Sequence, residues 1–230
     1  MFLIDREQSL YESSELGHMR IRCCSTGELF FENCRMPKEN NLTNVMADML
    51  SGGEAMKLLE EFEIPSGILD LFGTITPVFL VLAVLRTRMT MVSTGISQAY
   101  LDALVKYANE RGQFGRSIGK FQVIQDMIYK IATITETSCL LGYKALDLLS
   151  KGDPEFRKAS SMSKEYACSE VVDAASYAIE IHGGNGLSDE LPIERYFRDA
   201  RMITIPDGMM NMSKLIVGRE ILGSGFSAYV

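Results

Sequence analysis

The sequence predicts a mainly α fold, an antiparallel helical bundle preceded by a small β fragment. Three observations carry that expectation. Three long segments after Arg88 place apolar residues at helical spacing, Gly or Pro stops punctuate them, and the first forty residues favour strands. Three regions follow: 1–40 as a partial β domain, 41–85 as an irregular or helical connection, and 86–230 as the bundle.

Taken in order, Phe2 to Ile4 is a short apolar start, Met19 to Cys23 alternates, and Glu28 to Phe31 ends at Asn33 before Met36 and Pro37. So few strands cannot bury both faces, which marks them as part of a larger sheet. Gly52, Gly53, Pro65, Gly67 and Pro77 break the next stretch into short helical pieces. Val92, Ile96, Ala99, Leu101, Leu104 and Ala108 then form the stripe of a helix reaching Arg111. A second helix over about 121–150 carries Ile124, Ile128, Ile131, Leu141, Ala145 and Leu148, and stops at Gly152-Asp153-Pro154. A third, rich in Ala and Ser, covers about 155–181 and ends at Gly183-Gly184. Pro192 suits the first turn of a fourth that Pro206 ends, and a last helix covers about 209–222.

Composition excludes several classes. With 47% hydrophobic and 23% charged residues the 230-residue chain is globular, and a net charge of -7 without a basic cluster argues against nucleic acid. Five cysteines, an odd number, suit a reducing cytoplasm; the adjacent Cys23 and Cys24 do not make a tetrahedral site, and no metal is expected. Asp5, Arg6 and Glu7 interrupt any apolar leader. The most apolar run, Gly73 to Leu85, is shorter than the roughly 20 residues of a membrane span and contains Pro77, so a buried helix or subunit contact is expected there.

The chemistry-bearing stretch is Tyr107-Ala-Asn-Glu-Arg-Gly-Gln-Phe-Gly115 with Phe121-Gln-Val-Ile-Gln125, a helix end, a Gly-broken turn and a new helix that form a cationic corner. Together with Ile181-His-Gly-Gly-Asn-Gly186 and Glu194-Arg-Tyr-Phe-Arg-Asp-Ala-Arg201, it closely resembles the carboxy-terminal helical domain of the acyl-CoA dehydrogenases. These are flavoenzymes that oxidise acyl thioesters at the α and β carbons. Gly17 to Pro37 resembles the end of their middle β domain, and about twenty residues between Pro37 and Arg86 are extra to the pattern.

The resemblance implies FAD as cofactor. Arg111, Gln113 and Phe114 match the corner that touches a neighbouring subunit's FAD, with Gln122 as a further contact. A guanidinium's planar fork suits a diphosphate, although an Arg ending a helix also complements its dipole. Glu180, Gly183 and Gly184 match a segment under the partner's FAD, with Glu180 where the family usually has Gln. Arg86 stands where the family often has an arginine near the thioester; Leu85, at an alternative base position, supplies no acid.

The family's catalytic glutamate lies in a Tyr-Glu-Gly-Thr run; here the residues are Pro206-Asp207-Gly208-Met209. The reaction needs a carboxylate to take a weakly acidic α proton while hydride passes to flavin. The base's own N–H helps polarise the thioester oxygen, so Asp207 and Gly208 are the expected acid and substrate contact. Aspartate is shorter by about 1.5 Å, the length of one C–C bond. A nitroalkane-oxidising branch of the superfamily has Asp at this place. Asp207 also reads as a helix N-cap, and the two roles are compatible. Met209 and Asn211 fall where flavin contacts are expected, Met209 in place of Thr.

His182 reads as packing, and the charged residues of 194–201 as ion pairs between helices. The implied function is α,β-oxidation of an acyl thioester, or its reversal, with CoA or acyl carrier protein as carrier. A homo-oligomer, or a hetero-oligomer with a chain supplying the family's amino-terminal half, is the expected assembly. The alternative is a non-catalytic oligomerisation or scaffold subunit.

Overall fold

The computed structural model describes residues 4, 6–7, 10–17, 26–41, 51, 66–71, 75, 77–223 and 225. The expected strand over Met19 to Cys23, the cysteines Cys23 and Cys24, His18, Gly52, Gly53, Pro65 and Gly73 lie outside them. Strand β1 (Glu12–Glu15) pairs antiparallel with β2 (Gly27–Phe30), and every residue of both is exposed. β2 begins one residue before the expected strand; β1 was not expected, because its polar Glu-Ser-Ser-Glu run lacks an apolar face.

The helices are α1 (Ser66–Leu71), α2 (Pro77–Glu110), α3 (Gln122–Ser150), α4 (Phe156–His182), α5 (Ile193–Met202) and α6 (Met210–Leu222). α2 starts well before the expected Arg88, and the regional boundary placed at 86 falls inside it. Pro77 opens this helix instead of breaking it, because the first helical position needs no N–H donor. At 34 residues, α2 is long and apolar enough to cross a membrane by length and composition. The expectation of a short apolar segment is thereby corrected. The helix nonetheless packs against α3 and α4.

Its buried stripe also differs from the one expected. Val92 is exposed and Ile96, Ala99 and Leu101 are half-buried, whereas Leu80, Ala83, Thr87, Thr90, Ser93, Ser97, Tyr100, Leu104 and Ala108 are buried. Hydroxyl residues can occupy a helix interface because each satisfies itself on the preceding turn. Thr87 donates to the Ala83 carbonyl, Thr90 to Arg86 and Ser93 to Met89. Small residues also let backbones approach, and Ser97 meets Thr135 of α3 at 2.6 Å.

Contacts fix the directions. Arg86 meets Ser161, Thr90 meets Ser163, Ser93 meets Cys168 and Tyr107 meets His182, so α2 and α4 run parallel. Gly142 of α3 faces Thr90 and Met91, and Thr135 faces Ser97, so α3 runs antiparallel between them in sequence. The main core gathers Tyr100, Leu104, Ile131, Val171, Ala174 and Ile203. A smaller one around Leu71, Leu80, Ala145 and Phe156 closes the end where α1 sits. α5 and α6 pack on α4. α5 ends at Met202, before Pro206, so that proline lies in the α5–α6 connection and stops no helix.

Candidate functional site

The α5–α6 connection carries Asp207 in an unusual backbone. Its φ is 57°, in the left-handed region that non-glycine residues visit rarely and aspartate more readily than most, and Gly208 follows at φ 96°. The expected capping role does not hold. Met209 is the N-cap of α6, no side chain caps that helix end, and Asp207 lies two residues outside it. A left-handed turn takes the chain away from helical geometry there, and no simple cap survives it.

Two buried cations hold this turn by its carbonyls. Arg86, 6% exposed, donates from Nε to the Asp207 carbonyl at 3.1 Å and from Nη1 to Ser161 Oγ at 3.5 Å. Lys164, fully buried on α4, donates from Nζ to the Pro206 carbonyl at 2.6 Å and also to the Gly208 carbonyl. Three consecutive carbonyls thus converge on two positive charges. Burial lowers the pKa of both cations from their ordinary values, while the Asp207 charge favours their ionised forms. A Cβ at Gly208 would meet Arg86 Nη2 at 3.3 Å, so both the positive φ and the close guanidinium call for glycine. Arg86 therefore spends its hydrogen bonds within the chain. Asp207 itself is half-buried, with Met209 and Asn211 exposed beside it.

At the other end of the bundle, β3 (Gly112–Gln113) pairs with β4 (Arg116–Ser117). The two-residue turn between them, Phe114 at φ 51° and Gly115 at φ 74°, has the doubly positive φ of a type I′ hairpin. Phe114 is 91% exposed at its tip, and Arg111, Gln113 and Gln122 are exposed around it. Arg116 covers the Phe121 ring at 4.1 Å, which fixes the hairpin's base.

Glu180, Gly183 and Gly184 sit at the same end. His182 stacks on Tyr107 with ring centroids 4.1 Å apart, and Asn185 donates to the Tyr107 hydroxyl at 3.0 Å. His182 Nδ1 lies 2.9 Å from the Ala178 carbonyl, and burial lowers its pKa; the packing role expected for it stands. Arg198 and Glu194 pair through two 2.6 Å hydrogen bonds one turn apart within α5, not between helices as expected for that charged run.

The residues expected at the thioester and those expected at a neighbouring subunit's FAD fall into two separate groups. Arg86 and Tyr107 lie on the same helix, and at 1.5 Å rise per residue they are about 30 Å apart. Asp207 and the Arg111–Phe114 corner of one chain therefore lie at opposite ends of the bundle. Added Cβ atoms at Gly183 and Gly184 would meet nothing within 4 Å; the φ of 58° at the helix end calls for glycine at 183, while no contact within the chain calls for it at 184. The adjoining cleft beside Tyr107, His182 and Pro192, about 230 Å³, is smaller than ordinary ligand pockets of roughly 300–1,000 Å³.

Residues 79–222 match the family described as acyl-CoA dehydrogenase, C-terminal domain. This chain belongs to the acyl-CoA dehydrogenase family. It is 33% identical over 214 residues to glutaryl-CoA dehydrogenase of Desulfococcus multivorans, covering 92% of this chain and 48% of that protein. It is 31% identical over 222 residues to the caffeyl-CoA reductase-Etf complex subunit CarC of Acetobacterium woodii, covering 96% and 52%. A solved glutaryl-CoA dehydrogenase in complex with glutaryl-CoA superposes with a TM-score of 0.75 at 32% identity, over 96% of this chain and 50% of that one. The chain spans about half the length of these relatives. Acyl-CoA dehydrogenase family members bind FAD.

Lys164 was not singled out in the sequence. Its signal was there: it stands in helical register with Ser160, Cys168 and Val171, all buried positions of α4.

Proposed function

We propose that this chain is the carboxy-terminal half of an acyl-CoA dehydrogenase-type flavoprotein in which Asp207 takes the α proton of an acyl thioester. FAD, when bound, supplies the acceptor for the β hydride. The observation that carries this reading is the left-handed turn at Asp207, clamped by two buried cations and free of any capping duty. Strained backbone persists only where surrounding contacts over-determine it, and it clusters where geometry matters for chemistry.

Within that reading each residue has a task. Asp207 accepts the proton and its N–H polarises the thioester oxygen; Gly208 leaves room beside it for the acyl group. Met209 and Asn211 border the same cofactor, with Met209 offering apolar contact where a hydroxyl would donate. Arg86 acts on the thioester through the turn it holds. Arg111, Gln113, Phe114 and Gln122, with the bare backbone of Gly183 and Gly184, seat the FAD of a neighbouring copy. Glu180 suits cofactor hydroxyls, which donate to a carboxylate, and repels a diphosphate. The reverse, reductive direction uses the same groups with Asp207 returning the proton, and one relative carries a reductase name. The carrier is a CoA or acyl carrier protein thioester.

The test is Asp207→Asn in the assembled, FAD-loaded protein. The amide cannot accept the proton, and flavin reduction by acyl thioester should fall by about 10²–10⁴-fold. Wild-type turnover in that variant would leave an oligomerisation subunit as the better description.

A further inference from the structure

We propose that Lys164 is a positioning residue that holds Asp207 in its left-handed turn and so places the carboxylate for proton abstraction; the inference rests on the reading of Asp207 as the base. Lys164 projects from the buried face of α4, with Ala167, Cys168 and Val171 on the following turns. It is fully buried, yet both its hydrogen-bond acceptors are neutral carbonyls, Pro206 and Gly208, on either side of the acid. A buried ammonium satisfied in this way is expensive, and an apolar residue of similar volume would pack there at lower cost.

The placement explains what the charge accomplishes. Consecutive carbonyls 206, 207 and 208 are drawn to one side, the outer two by Lys164 and the middle one by Arg86. A non-glycine residue at φ 57° between them has little freedom to relax. Arg86 alone grips a single carbonyl of the turn, which leaves both flanking peptide planes free to rotate. The second cation removes that freedom.

Lys164→Met removes the donor, and Lys164→Gln, which keeps an N–H, covers failure of the methionine variant to fold. In ¹⁵N–¹H spectra of the 230-residue chain, the Gly208 cross-peak should move or broaden in both variants and return toward its original place in Lys164→Arg. The Gly184 cross-peak, at the far end, should stay. In the assembled, FAD-loaded protein, Lys164→Met should lower kcat about 100-fold with little change in KM, as a misplacement of about 1 Å does. A purely structural lysine would instead lower melting temperature at unchanged kcat. An unmoved Gly208 peak, or wild-type kcat in a folded variant while Asp207→Asn is inactive, overturns the assignment to Lys164 alone. Wild-type turnover in Asp207→Asn together with a moved Gly208 peak overturns the catalytic reading and leaves only a structural clamp.

Discussion

At the scale of single residues, burial decides which ionisable groups matter. His182 is buried against Tyr107, and desolvation holds its pKa below the ordinary 6.5. Below pH 6.5 the unfolded chain therefore binds a proton that the folded chain does not, so stability falls as pH drops from about 6.5 through the depressed value. His182→Phe keeps the stacked ring and removes that titration. Its denaturation free energy, measured from pH 7.5 to 5, should fall less steeply than wild type, by at most about 1.4 kcal/mol per pH unit. An unchanged slope would show that the imidazole titrates freely in the fold. The packing role of His182 was legible in sequence, since an aromatic ring is what that position buries. Lys164 was not, because lysine normally keeps its ammonium in water, and helical register with buried positions does not outweigh that expectation. The φ of Asp207 was equally hidden, since aspartate tolerates the left-handed region without demanding it.

Elements show the same division. The Phe114-Gly115 turn needs positive φ at both residues, which suits Asn-Gly far better than Phe-Gly. Phe114→Asn should stabilise the isolated chain by up to about 1 kcal/mol, seen as a higher melting temperature. On the cofactor role proposed for the exposed ring, the same change should weaken FAD retention in the assembled protein. A variant that is more stable and also retains FAD fully would remove Phe114 from the cofactor site. In α2, apolar periodicity located the second half, where Leu104 and Ala108 are buried and Ile96 and Leu101 pack on the core, and missed the buried hydroxyl residues. Thr87, Thr90, Ser93 and Ser97 carry no apolar signal, yet the first three donate to carbonyls one turn back, Ser97 meets Thr135 of α3, and their small size permits close packing.

On the scale of the molecule, the separation of about 30 Å between the acid's turn and the glycine-bare corner dominates. On the function proposed above, one chain lends residues to two different cofactor sites and needs further polypeptide at each. The β1–β2 pair is exposed on both faces, with Leu29 and Phe30 uncovered. The purified chain alone should retain little FAD in equilibrium dialysis, and should gain it when mixed with polypeptide corresponding to the other half of its relatives. A flavin-coloured chain that is reduced by acyl-CoA on its own would contradict that arrangement.

The amino-acid sequence alone determined the helical class, the approximate helix ends from α3 onward, and the family, because apolar period and Gly or Pro stops act over a few neighbouring residues. It also marked Asp207 and the Arg111–Phe114 corner, where short motifs survive intact or nearly so. Only the tertiary structure decided that the two lie at opposite ends of the bundle, and that Arg86 and Lys164 grip the acid's turn. Those relations join residues far apart in the chain, and the hydrogen bonds that enforce them, from buried cations to distant carbonyls, exist only once the helices have packed.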